Sequence, residues 1–153
     1  MDILLCKKGC CQLKILPKQH AVNSGTSHPF EKRKAGVFVC CGNKVLLTQS
    51  HNNCWGIPKG NMEPFDVNTK ACAERELREE TGLILSLYDS DLYRILLNNC
   101  YIYRKYVENM DVVNLENLAN LDSTGIGWVD LGCAFDFNLN LLTRKVLLGT
   151  YTF

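Results

Sequence analysis

The chain lacks any apolar run near the ~20 residues a membrane-spanning helix needs. Met1 to Cys6 is too short for a signal-peptide core and has no basic lead-in. These two absences point to a cytoplasmic protein with no membrane partner. The chain also lacks charge of one sign. Its 17 basic and 16 acidic residues leave a formal net charge of +1, so no global field draws it to nucleic acid or membrane. Internal repeats and low-complexity tracts are missing. So is any CxxC pair, although there are nine cysteines, at 6, 10, 11, 40, 41, 54, 72, 100 and 133. The odd count argues against a disulfide framework. We read these residues as reduced thiols of an intracellular protein, several of them small buried hydrophobes such as Cys40 and Cys72. The alternative is a zinc site from Cys6, Cys10, Cys11 and His20 or His28, but that spacing fits no standard finger.

What is present suits one globular domain. The chain has 153 residues, 46% hydrophobic and 22% charged, enough for a single core. Residues 1–34 carry two short apolar runs, Ile3 to Leu5 and Leu13 to Leu16, around Lys7-Lys8-Gly9. They read as an extra hairpin on the main sheet or as a mobile arm. From Lys34 the pattern is clearer. Ala35 to Cys41, a Gly42-Asn43 turn and Lys44 to Gln49 make a hairpin. Trp55-Gly56-Ile57 is a brief strand ended by Pro58. A helix is predicted from an Asn68 or Thr69 cap to Thr81, with Gly82 in the left-handed position after it. Strands are predicted over Ile84 to Leu87, Leu92 to Leu97, Tyr101 to Val107 and Gly127 to Val129. A last helix runs from Asn138 to Leu148 and closes at Gly149. Trp55 and Trp128 read as core.

The predicted first helix carries the chemistry. Glu76, Glu79 and Glu80 stand at i, i+3 and i+4 and share one face. Like charges so close destabilise a helix unless a cation lies among them. Mg²⁺ and Mn²⁺, which favour oxygen ligands, are the obvious candidates. Arg75, four residues before Glu79, is placed to orient the carboxylates.

The stretch Arg75-Glu76-Leu77-Arg78-Glu79-Glu80-Thr81-Gly82-Leu83 resembles the second half of the Nudix hydrolase box. That half reads Arg-Glu, an aliphatic, any residue, Glu-Glu, any residue, Gly, an aliphatic. Trp55 to Gly60 and Glu63-Pro64 are similar to the family's approach to the box, and Gly127-Trp128-Val129-Asp130-Leu131 to a later family segment. The first half departs from the pattern. Fourteen residues separate Gly60 from Arg75, one more than the pattern has, and Asp66 stands where a Glu is usual. The resemblance implies an α/β (α+β) fold, a mixed β-sheet sandwiched between helices over residues 35–153, with 1–34 as an N-terminal extension. It implies hydrolysis of a phosphoanhydride bond with Mg²⁺ or Mn²⁺. Glu76, Glu79, Glu80 and the Gly60 carbonyl would be metal ligands, and Glu79, Glu76 and Arg75 the catalytic group. Glu108 and Glu116 are loop candidates for a general base.

For substrate, the resemblance singles out Lys59. Pro-Lys-Gly before the box is common in diadenosine polyphosphate hydrolases, diphosphoinositol polyphosphate phosphohydrolases and mRNA decapping enzymes. Lys59, Glu63, Arg104 and Tyr103 are the expected substrate contacts, with Tyr101 and Tyr106 as further stacking surface. A dinucleoside polyphosphate or a capped RNA 5′ end is the leading substrate. A diphosphoinositol polyphosphate and a nucleoside triphosphate are the rivals, and a non-catalytic binding module is the alternative class. Decapping would need Lys14, Lys18, Lys32, Arg33, Lys34, Arg104 and Lys105 in one basic track. A homodimer is left open.

Overall fold

The computed structural model describes residues 2–15, 33–49, 53–96, 99–114 and 121–151. Among these, nine strands form one mixed sheet. They are β1 (Asp2–Leu5), β2 (Gln12–Ile15), β3 (Lys34–Cys41), β4 (Lys44–Gln49), β5 (Trp55–Gly56), β6 (Lys59–Asn61), β7 (Leu92–Leu96), β8 (Cys100–Tyr106) and β9 (Gly125–Asp130). The helices are α1 (Thr69–Thr81) and α2 (Leu141–Tyr151). The sheet order is β1-β2-β9-β4-β3-β8-β7, with β5 on β4 and β6 on β3. The β3–β8 pair is parallel and the others are antiparallel. Among the described residues no helix is long and apolar enough to cross a membrane.

Strand alternation explains why a helix lies on each face. On β3, Ala35, Val37 and Val39 point to one side and pack with Cys72, Ala73 and Leu77 of α1. Phe38 and Cys40 point to the other and pack with Val146 and Leu147 of α2. The sheet is thus sandwiched between helices, as expected. The first thirty-four residues supply a real hairpin: β1 and β2 pair from Asp2↔Ile15 to Leu5↔Gln12, and β2 then joins β9. The remainder of that segment, 16–32, with Lys18, His20, His28 and Lys32, lies outside the described residues, as does Glu116.

Helix α1 starts and stops where local chemistry dictates. The Asn68 side chain accepts the Ala71 N–H (2.8 Å), and Gly82 takes φ 77° while its N–H reaches the Arg78 carbonyl. Two expectations fail. Residues 84–87 form no strand; the Leu87 N–H is taken by the Glu74 carboxylate (2.7 Å) instead of a sheet neighbour. The last helix starts later and runs through Gly149. Residues 138–140 bond to Trp55: its N–H reaches the Asn138 carbonyl (2.7 Å) and its carbonyl accepts the Asn140 N–H (2.9 Å). Asn140 then caps α2 by accepting the Thr143 N–H. Gly149 is inside the helix and lets the Arg94 guanidinium come close, occupying the space a Cβ would take; Arg94 donates to the Gly149 carbonyl (3.1 Å).

Candidate active site

Strand β6 and helix α1 bring the acidic face against the Lys59-Gly60 backbone. Gly60 pairs with Ala35 of β3, and the carboxylate of Glu76 lies directly over its Cα. A Cβ at position 60 would collide with that carboxylate. Any larger residue here would push the Glu76 carboxylate out of its place.

Arg75 is the hub of the site and is buried. Its Nη1 donates to Glu76 Oε1 (3.0 Å) and Glu79 Oε1 (2.9 Å). Its Nε and Nη2 form a two-pronged pair with Asp66 Oδ1 (3.1 Å) and Oδ2 (2.9 Å), and Nη2 also reaches the Asn61 carbonyl. The ring of Phe65 lies 5.2 Å from the guanidinium carbon. Burial works against the Arg75 charge, but the three carboxylates outweigh it and keep the group protonated.

Asp66, the residue at the departure from the box, is thereby explained. The longer loop makes a turn in which the Asp66 N–H bonds the Glu63 carbonyl and the Asp66 carboxylate accepts the Glu63 N–H (2.8 Å). Asp66 then faces Arg75 as its counter-ion. Burial pushes its carboxyl up, and Arg75 with the Glu63 N–H more than offsets this, holding it below the usual carboxylate range.

The other carboxylates are strained electrostatically. Burial, helped by the Glu79 charge and opposed by Arg75, pushes Glu76 up to about 7. Burial and then the Glu76 charge push Glu80 up to about 8, although the Lys59 N–H (2.8 Å) and the Thr48 hydroxyl (3.2 Å) donate to it. Glu79 is the more open of the group, with 28% of its side chain exposed. Glu76, Glu79 and Glu80 offer hard oxygen donors of the kind that suit a divalent cation, and burial pushes two of them up. Arg75 occupies only one oxygen of Glu76 and one of Glu79.

Sequence reasoning missed several contributors. Asp122 adds to the acidity: its charge raises Glu76, and its N–H bonds the Glu79 carbonyl (2.9 Å). Thr48 positions Glu80 from β4. Both are distant in sequence, so no local spacing signals them. Lys59 lines two cavities. One, about 80 Å³, includes Thr48, Glu80 and Asn140; the other, about 230 Å³, includes Lys34 and Lys145.

The remaining expected substrate contacts separate. Tyr103 is buried under α1, its hydroxyl 2.6 Å from Thr69 Oγ1, and so offers no stacking face. Arg104 points to the opposite face of β8 and lies over the rings of Tyr93 (4.2 Å) and Tyr106. The structure does not bring it to the carboxylates. Glu63 shapes the loop through its backbone. Glu108 is exposed. Trp55 and Trp128 are core residues.

Comparisons with known proteins identify the family. A family model described as the NUDIX domain matches residues 31–119. A relative from Invertebrate iridescent virus 3, named "Putative hydrolase 111R", is 57% identical over 151 residues, covering 97% of this chain and 89% of its own. "Putative 8-oxo-dGTP diphosphatase YtkD" of Bacillus subtilis is 33% identical over 99 residues, 63% of this chain and 61% of its own. Among solved structures, a C. elegans Ap4A hydrolase in a binary complex shares the fold with a TM-score of 0.57 at 18% identity, over 78% of this chain and 95% of that one. With the family model spanning more than half of the sequence and the whole acidic helix inside it, the chain belongs to the Nudix family and is a Nudix hydrolase.

Proposed function

We propose that this chain hydrolyses a phosphoanhydride bond in a nucleotide bearing a chain of phosphates, with Mg²⁺ or Mn²⁺ held by Glu76, Glu79, Glu80 and the Gly60 carbonyl. The reading rests on one observation above the others. Lys59 lies between the carboxylate cluster and a second cavity that carries Lys34 and Lys145. Acidic groups next to a line of lysines fit a metal-bridged phosphate followed by further phosphates. When bound, the cation neutralises phosphate charge and lowers the pKa of a water ligand. The protein's own residues do the rest. Arg75 holds Glu76 and Glu79 in register, Asp66 fixes Arg75, and Lys59 contacts a phosphate beyond the cleaved bond.

A dinucleoside polyphosphate is the favoured substrate, in line with the likeness of fold to an Ap4A hydrolase. A nucleoside triphosphate is the second reading, favoured by the similarity to a relative named as an 8-oxo-dGTP diphosphatase. Capped RNA ranks below these: of the basic residues it would use, Lys14 and Arg104 stand on strands four steps apart, ~19 Å at ordinary strand spacing, and Lys105 is paired with Asp91 (3.2 Å).

A panel of diadenosine tetraphosphate, nucleoside triphosphates, capped RNA and a diphosphoinositol polyphosphate, each with Mg²⁺ and Mn²⁺, tests the reading. Hydrolysis of the first or second is expected. Glu79→Gln should lower the rate by about 100-fold or more, since even groups that only support metal ligands cost up to that much. A wild type inert on every substrate, or an active Glu79→Gln, would reject it.

A further inference from the structure

We infer that Cys6, Cys10, Cys11 and Cys133 form a structural zinc site that fastens the N-terminal hairpin to the body of the domain. Their four Sγ atoms all lie within 4.8 Å of one another. Cys10 Sγ is 3.6 Å from Cys6 Sγ, 3.5 Å from Cys11 Sγ and 3.6 Å from Cys133 Sγ. Zinc with four thiolates at ~2.3 Å sets neighbouring sulfurs ~3.8 Å apart at the corners of a tetrahedron. Soft sulfur donors in that arrangement select zinc over the hard cations suited to the glutamates.

The surroundings are built for such a site. The β1–β2 turn folds Cys6, Cys10 and Cys11 inward: the Cys6 N–H bonds the Cys11 carbonyl, and Gly9, at φ +74°, returns its N–H to the Cys6 carbonyl. The Asp130 N–H donates to Cys11 Sγ (3.3 Å), the kind of outer contact that steadies a metal-bound thiolate. Cys6, Cys11 and Cys133 are buried and Cys10 is exposed, which gives an entry path. Lys7 and Lys8 sit in the same turn and offset the negative charge of four thiolates.

Cys6, Cys11 and Cys133 also border the apolar core, but packing alone does not call for four sulfurs within 4.8 Å of one another. The hairpin they anchor is poorly held by burial: every residue of β1 is exposed, including Ile3, Leu4 and Leu5. Beyond Leu13, its ties to the body include two register pairs with β9 and one bond from the Lys7 N–H to Asp136 (3.0 Å). A metal joining Cys133 to the hairpin supplies the missing fastening.

The test is metal analysis of the full-length protein, reconstituted with zinc under reducing conditions and then dialysed against chelator-free buffer containing excess Mg²⁺, which keeps zinc off the carboxylates. One zinc per chain is expected. Co²⁺ in its place should give the sulfur charge-transfer and tetrahedral visible bands of a thiolate site. Cys133→Ser should lose the stoichiometric metal and Cys54→Ser should keep it. Should Cys133→Ser fail to fold, the wild-type Co²⁺ spectrum decides. Less than stoichiometric zinc, bound iron instead, a Co²⁺ spectrum without sulfur bands, or a disulfide within the four would overturn the proposal.

Discussion

Arg75 touches three carboxylates and a main-chain carbonyl at once, so its neighbours report on its role. Asp66→Asn removes the charge opposite Arg75 while keeping the shape. It should lower metal affinity or turnover by about 10–100-fold, read as a shift in the Mn²⁺ activation curve, with the fold intact by circular dichroism. The raised carboxyls give a second prediction. Glu76 near 7 and Glu80 near 8 hold protons that a divalent cation must displace. Mn²⁺ affinity should therefore climb as pH rises through about 7 to about 8. Titration calorimetry in buffers of different ionisation enthalpy should detect protons released on binding near pH 7. Equal heats in all buffers would show that these groups are already ionised.

At the scale of elements, α1 is self-contained. Its cap, its stop and its buried stripe of Cys72, Ala73 and Leu77 all come from residues within or next to it. Asn68→Ala should cost about 1 kcal/mol of stability, measured by urea unfolding, without moving the acidic face. For the same reason α1 was legible in the sequence almost to the residue, and with it the carboxylate triplet. The β3–β4 hairpin was legible too, from Gly42 and two apolar runs. What sequence could not show was settled by partners far away. Trp55 holds residues 138–140 and delays α2, Arg94 packs against Gly149 inside the helix, and Glu74 occupies the backbone of a would-be strand. Asp122 and Thr48 reach the site only because β4, β9 and α1 meet there. The fourth cysteine escaped notice likewise: Cys133 is more than a hundred residues from the other three and meets them only once β2 lies on β9.

For the whole molecule, the crowded carboxylates couple stability to pH. Between about 4.5 and 8, the folded state keeps protons on Glu76 and Glu80 that the unfolded chain releases. Without divalent cation, these groups make the domain less stable as pH rises across that window. Asp66 acts oppositely and lower: its contribution is present above the ordinary carboxylate range and is lost as pH falls through its depressed value. Melting temperature of the protein desalted into chelator-free buffer without Mg²⁺ or Mn²⁺ should thus fall from mildly acidic pH towards pH 8. Saturating Mn²⁺ should reverse the fall, because binding to the folded state adds stability. A melting temperature that rises across this window without Mg²⁺ or Mn²⁺ would contradict the assignment of Glu76 and Glu80.

The place of β9, between β2 and β4, has a consequence for how the molecule is made. The hairpin emerges from the ribosome well before its sheet neighbour, since Gly125 and Ile126 lie about 110 residues behind it. At ordinary rates of synthesis β2 waits roughly 5–20 s for its mate. Throughout that interval the edge of β2 that later pairs with β9, and the side chain of Leu13, are open to other chains. Nascent chains stalled before residue 125 should be more aggregation-prone and more readily cleaved in the hairpin than chains stalled well beyond residue 130.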